Sequence, residues 1–172
     1  RDEHFAVHPI EDLENTDLFK FSPFKTLTPD QYEAIDTIYR RLEREIDDAN
    51  KAHVEHFKFK RQTTVINGCP GTGKTILAIS LLFKLKNDPK FKGLRIGFVT
   101  PMDSPKRTLR KLARLLPGLK PGDILMPSEV AKCERFDILL VDEAHRLGGS
   151  LSTGAGIKAF YNTCDKLGLP HS

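Results

Sequence analysis

The sequence predicts an α/β fold, a parallel sheet with helices on both faces, and three observations carry that prediction. Short apolar runs rich in β-branched residues alternate with segments of helical period, the order that builds strand–helix–strand units. A glycine-rich loop, Gly68-Cys69-Pro70-Gly71-Thr72-Gly73-Lys74-Thr75, joins one such run to an apolar helix. A later run from Ile138 to Val141 has no polar residue and ends in Asp142-Glu143. Such a run suits a parallel strand covered on both faces.

The elements follow in order. Residues 1–26 show no helical period and contain Pro9 and Pro23, so they read as an extended lead-in, with Phe19, Phe21 or Phe24 available to anchor it. Thr28-Pro29-Asp30-Gln31 is a helix start, with Thr28 as the N-cap and Pro29 in the first turn. Tyr32, Ile35, Ile38, Tyr39, Leu42 and Ile46 recur at spacings of three and four, which marks an amphipathic helix running to about Ala52. Thr63 to Asn67 reads as a buried strand before the glycine loop. The apolar segment Ile76 to Phe83 continues the loop as a helix that closes near Asn87-Asp88-Pro89. Arg95 to Thr100 is a second strand. Pro105 opens a helix carrying Leu109, Leu112, Leu115 and Leu116, and Pro117-Gly118 ends it. Asp123 to Met126 reads as a short strand, Ser128 as the cap of a short helix through Lys132, and Phe136 to Asp142 as a third main strand. Gly148 to Gly156 is a glycine- and serine-rich loop, and Ile157 to Leu167 is helical in pattern. Residues 27–172 thus form one expected domain behind the lead-in.

Composition narrows the class. A chain of 172 residues with 39% hydrophobic and 29% charged side chains matches a globular protein with a sizeable core. No run of eighteen apolar residues is present, which argues against a membrane helix, and the acidic start does not resemble a signal peptide. Cys69, Cys133 and Cys164 lie far apart without metal-type spacing, so they read as reduced thiols of a cytoplasmic protein. The chain begins with Arg1 rather than Met, which suggests a piece of something longer.

The glycine loop fits the pattern G-x-x-x-x-G-K-[ST] and stands where a phosphate-binding loop must stand, between strand and helix. Its glycines let backbone N–H groups converge on phosphate oxygens, and the helix N-terminus adds partial positive charge. Gly68, Pro70, Gly71, Thr72, Gly73, Lys74 and Thr75 would cradle a nucleoside triphosphate. Lys74 would reach the β- and γ-phosphates, and Thr75 would place its hydroxyl on Mg²⁺. Asp142, at the strand end, would hold the hydration shell of the metal. Glu143 would orient the attacking water. The expected cofactors are ATP and Mg²⁺. No Asn-Lys-x-Asp-like pattern appears, which argues against guanine, and no acceptor site for a kinase is visible.

Charge is unevenly spread. Residues 84–120 hold eleven Lys or Arg against Asp88 and Asp103 alone, a local net of +9, whereas the first 62 residues carry a net of −4. A basic block beside a nucleotide site fits a polyanionic partner, and it equally fits a solvated lysine-rich helix face.

Leu27-Thr28-Pro29-Asp30-Gln31, the phosphate loop, and Val141-Asp142-Glu143-Ala144-His145-Arg146-Leu147 together resemble the Schlafen group 3-like DNA/RNA helicase family. That family belongs to the superfamily 1 type of P-loop ATPase. The resemblance spans roughly residues 27 to 148 and implies a P-loop NTPase (RecA-like) core. It implies that Gln31 reads the adenine edge, since an amide both donates and accepts. It also implies that Thr100, Lys106, Arg107 and Arg110 contact the backbone of single-stranded DNA or RNA. His145 and Arg146 would couple the γ-phosphate to the nucleic-acid groove.

In related ATPases a further strand inserts between the phosphate-loop strand and the acidic strand, and a second motor domain brings arginines to the γ-phosphate. Neither is recognisable after residue 148. The sheet is therefore expected to be incomplete, the chain to be the N-terminal part of a motor, and the remaining motor domain to lie in the same or another chain. Such a piece would bind Mg·ATP, hydrolyse it slowly, and not unwind duplexes alone. The alternative is a nucleotide-dependent switch with a protein partner, in which ATP orders the Gly148–Gly156 loop.

Overall fold

The computed structural model describes residues 21, 23, 26–51, 64–130, 132–133 and 136–144. The expectations for Gly148–Gly156, for Ile157–Leu167, and for His145 and Arg146 lie outside these residues.

Helix α1 spans Pro29–Lys51. Its start is a reciprocal cap: the Gln31 N–H donates to Thr28 Oγ1 at 3.3 Å, and the Thr28 N–H donates to Gln31 Oε1 at 3.0 Å. Ile35 and Ile46 are buried, with Ile38, Tyr39 and Leu42 packed beside them. Tyr32, expected on that face, is 58% exposed. Helix α2 (Lys74–Asn87) follows the glycine loop and buries Leu77, Ile79, Leu81, Leu82 and Leu85 between α1 and the sheet. So broad an apolar surface fits a helix packed on two sides.

The sheet consists of β1 (Ile96–Val99), β2 (Ile124–Leu125) and β3 (Ile138–Val141), all parallel, in the order β2-β1-β3. Helix α3 (Asp103–Leu115) links β1 to β2, and the one-turn α4 (Pro127–Val130) lies between β2 and β3. The first connection moves outward across the sheet and the second moves back. Right-handed crossovers therefore put α3 and α4 on opposite faces.

Packing follows that topology. Ile96 and Phe98 of β1, with Ile124 and the half-buried Ile138 and Leu140, join α1, α2 and α3 in the main core. Val99, Leu125, Leu139 and Val141 point the other way, onto Val130 of α4 and Phe136. The fold class is thus α/β, a small parallel sheet flanked by helices on both faces and incomplete. Among the described residues, no helix is long and apolar enough to cross a membrane.

Four local expectations change. Among the described residues, 64–67 pair with no strand; Val65 is 72% and Ile66 37% exposed, although they read as a buried strand. A β-branched run has the propensity, but without a neighbouring ladder nothing fixes it as a strand. The described sheet ends at β3 and is incomplete, as expected. Helix α3 begins at Asp103, so Pro105 sits inside its first turn. Leu115 is 49% exposed rather than part of the apolar face. Helix α4 starts at Pro127, one residue ahead of Ser128. Its cap is Glu129, whose Oε2 accepts the Met126 N–H at 2.6 Å.

A polar brace ties α1 to the end of α2. The Tyr39 hydroxyl donates to Asp88 Oδ2, Lys84 Nζ lies 3.8 Å from the Tyr39 ring centroid, and Lys90 Nζ meets Glu43 Oε1 at 2.6 Å. The Asp88 carboxylate, helped by burial, pushes the Tyr39 hydroxyl up to about 12. The same hydrogen bond holds the Asp88 carboxyl below the usual carboxylate range.

Candidate active site

The glycine loop turns through two left-handed residues, Gly71 at φ 80° and Gly73 at φ 78°. Gly73 is required twice over. A side chain there would be strained by the backbone, and its Cβ would stand 2.6 Å from Gln31 Nε2. The loop also bonds to itself: Thr72 Oγ1 donates to the Cys69 carbonyl at 2.8 Å, and the Thr72 N–H reaches the same oxygen at 3.3 Å. Lys74 Nζ folds back across the loop to the Gly68 and Cys69 carbonyls at 2.8 and 3.0 Å.

The first helical turn of α2 begins directly after Gly73, so its leading N–H groups have no intrahelical acceptor and point at the loop mouth. Cys69 lies exposed within the loop as a free thiol.

The carboxyl end of the sheet meets that turn. Thr75 Oγ1 donates to Asp142 Oδ2 at 2.7 Å, joining residues 67 positions apart. Asp142 is buried, and its Oδ1 accepts the N–H of Glu143 at 3.0 Å. Glu143 has φ 51°, a conformation uncommon for a residue with a side chain, so the chain turns sharply where the strand ends. A hydroxyl and a carboxylate in contact beside an anion-binding turn suit Mg²⁺, which takes one or two protein oxygens and completes its shell with phosphate and water. No cluster of three His, Cys, Asp or Glu suited to a metal occurs among the described residues.

Gln31 lies against the loop. Its Nε2 donates to the Thr72 carbonyl at 2.7 Å while its Oε1 serves the α1 cap. Both ends of the amide are therefore engaged, and Gln31 links α1 to the loop.

The four residues expected to touch nucleic acid separate in the structure. Thr100 is fully buried at the end of β1 and does not face solvent. Lys106 Nζ meets Glu129 Oε1 at 3.1 Å, and Arg110 grips both Glu129 oxygens at 3.1 and 3.2 Å while its Nε donates to the Ile124 carbonyl. These two cations hold α3 onto β2 and α4. Burial pushes the Glu129 carboxyl up, but the Met126 N–H, Lys106 and Arg110 together outweigh it and keep the group below its ordinary range. Arg107 is exposed, as are Lys111 and Arg114 along the same helix. Sequence reasoning gave Glu129 no part; the readable signal was its place two residues after Pro127, where a carboxylate caps a helix start.

Neither a curated protein nor a solved structure matches the chain. The family model described as Schlafen group 3, DNA/RNA helicase domain matches residues 61–154, a segment that contains the glycine loop, the three described strands and the Asp142-Glu143 pair. More than half of the chain lies within that match, and the chain belongs to the Schlafen group 3 DNA/RNA helicase domain family.

Proposed function

We propose that this chain is the ATP-binding and ATP-hydrolysing part of a nucleic-acid-dependent, helicase-like motor of superfamily 1 type, slow when isolated. The observation that carries the reading is the 2.7 Å hydrogen bond from Thr75 to Asp142, beside the N-terminus of α2. It joins the two oxygen donors a nucleotide-bound Mg²⁺ requires, at the mouth of a loop built for phosphate.

In this reading the loop from Gly68 to Thr75 receives the phosphates of ATP through its backbone N–H groups. Lys74 exchanges its contacts with the Gly68 and Cys69 carbonyls for the β- and γ-phosphate oxygens. Thr75 and Asp142 would hold Mg²⁺ or its waters, and the metal, when bound, neutralises charge on the phosphates. Glu143 orients and deprotonates the attacking water. Gln31 keeps the loop in register with α1, and it would read the adenine edge by exchanging its bonds to Thr28 and Thr72. The polyanion would be single-stranded DNA or RNA, with Arg107 the exposed member of the four residues first expected to touch it. The remaining motor domain would supply the arginines that accelerate hydrolysis, which are worth several orders of magnitude. A reduced, cytoplasmic setting fits the separated cysteines.

The test is Mg·ATP turnover with and without single-stranded DNA and RNA, using Lys74→Ala and Glu143→Gln as controls. The reading expects slow turnover that a nucleic acid stimulates. Loss of the general base should lower the rate by about 10² to 10⁴-fold. Turnover that both substitutions leave unchanged would refute it.

A further inference from the structure

Thr100 directly follows β1, fully buried, and its hydroxyl has no hydrogen-bond partner. A buried hydroxyl without a partner is uncommon and calls for a physical reason. Its backbone is fixed on both sides. The Thr100 N–H donates to the Leu125 carbonyl at 3.0 Å, and on the opposite side Asp142 continues the ladder by donating its N–H to the Val99 carbonyl at 2.9 Å.

Register locates the side chain. Val99 pairs with Val141, so the next step along the sheet sets Thr100 beside Asp142. Phe98 and Leu140, two residues earlier on each strand, both belong to the α2 side of the sheet. Alternation then returns Thr100 and Asp142 to that same side, on strands about 4.8 Å apart. Thr75 reaches Asp142 from α2 on that side. A hydroxyl from α2 and one from the residue after β1 thus lie on the same side of the sheet as this carboxylate. One of them, Thr75, is bonded to it, and the other is unsatisfied.

We propose that Thr100 is a positioning residue of the cation site: its hydroxyl and Asp142 together hold one water of the hydration shell of the bound cation. This rests on the Mg·nucleotide reading above and gives Thr100 a role different from a nucleic-acid contact. The chemistry is balanced without any group leaving. Asp142 accepts from the water, the water accepts from the Thr100 hydroxyl or donates to it, and the water oxygen faces the cation. With Thr75 and Asp142 holding the cation or its waters, Thr100 would keep the carboxylate and its water in place.

The experiment measures binding rather than turnover. A fluorescent, non-hydrolysable ATP analogue is titrated into the chain at increasing Mg²⁺, and again in EDTA, for the parent, Thr100→Val and Thr100→Ser. Mn²⁺ binding to the nucleotide complex is followed in parallel by electron paramagnetic resonance. Thr100→Val should raise the Mg²⁺ concentration needed for half-maximal binding about tenfold, as loss of an outer-sphere partner does. It should leave binding in EDTA within about twofold, since the loop and Lys74 are untouched. Thr100→Ser, which keeps the hydroxyl, should stay near the parent. If circular dichroism shows Thr100→Val unfolded, Thr100→Ala carries the same expectation. A Mg²⁺ midpoint in Thr100→Val equal to that of the parent overturns the proposal while the nucleotide reading stands. A parent chain that binds the analogue with no dependence on Mg²⁺ overturns both.

Discussion

The two flanks of the glycine loop are built very differently. On its downstream side α2 is among the most deeply packed parts of the protein, with Leu82 and Leu85 wholly buried between α1 and the sheet. On its upstream side residues 64–67 carry β-branched side chains into solvent and join no ladder among the described residues. The site is thus held from one side. Its first helical turn, Lys74 and Thr75 are fixed by the core through α2, and Asp142 is fixed by β3. The strand that should feed the loop is not. Gln31 partly compensates, since its bond to the Thr72 carbonyl tethers the loop to α1 independently of any strand.

The largest expected effect lies on the packed flank. Leu82→Ala should lower unfolding stability by about 2–5 kcal/mol, the usual cost of removing a buried leucine side chain. Chemical denaturation checks it, and a loss under about 1 kcal/mol would mean that α2 is not seated as described.

The brace between α1 and α2 should show a pH signature of intermediate size. Asp88 has a lowered pKa, so its share of stability is present above the ordinary carboxylate value of 3.8 and fades as pH falls through its folded value. Tyr39 is raised from 10.0 to about 12, so its share is complete below pH 10 and is lost as pH climbs towards 12. Thermal melts of the parent should fall across that alkaline window more steeply than those of Tyr39→Phe. Parallel curves would remove Tyr39 from the brace.

The smallest effect belongs upstream. Val65→Ser should change stability by no more than about 0.5 kcal/mol, as for an exposed site without special contacts. A loss well above 1 kcal/mol would place Val65 in a paired strand and extend the sheet beyond β3.

Much of this arrangement was legible beforehand. Thr28 and Gln31 announced the capped start of α1, the glycine loop announced the turn before α2, and the apolar run to Asp142 announced β3. These signals are local, set by backbone geometry or by the period of side-chain burial. What stayed hidden was decided by tertiary partners. The stretch at Val65 has strand propensity but no neighbour in the described sheet. Lys106 and Arg110 look like an exposed basic patch until Glu129, about twenty residues on, draws them inward. Thr100 follows an apolar strand, and only the register of β1 against β3 brings it beside Asp142.

The central claim is that Lys74, Thr75 and Asp142 form one Mg·ATP site. Calorimetric titration of Mg·ATP into the parent and into Lys74→Ala tests it most directly. The account predicts saturable binding by the parent and affinity about 10- to 100-fold weaker in Lys74→Ala, the worth of a charged hydrogen bond. Equal affinity in both, or no binding by the parent, would contradict it.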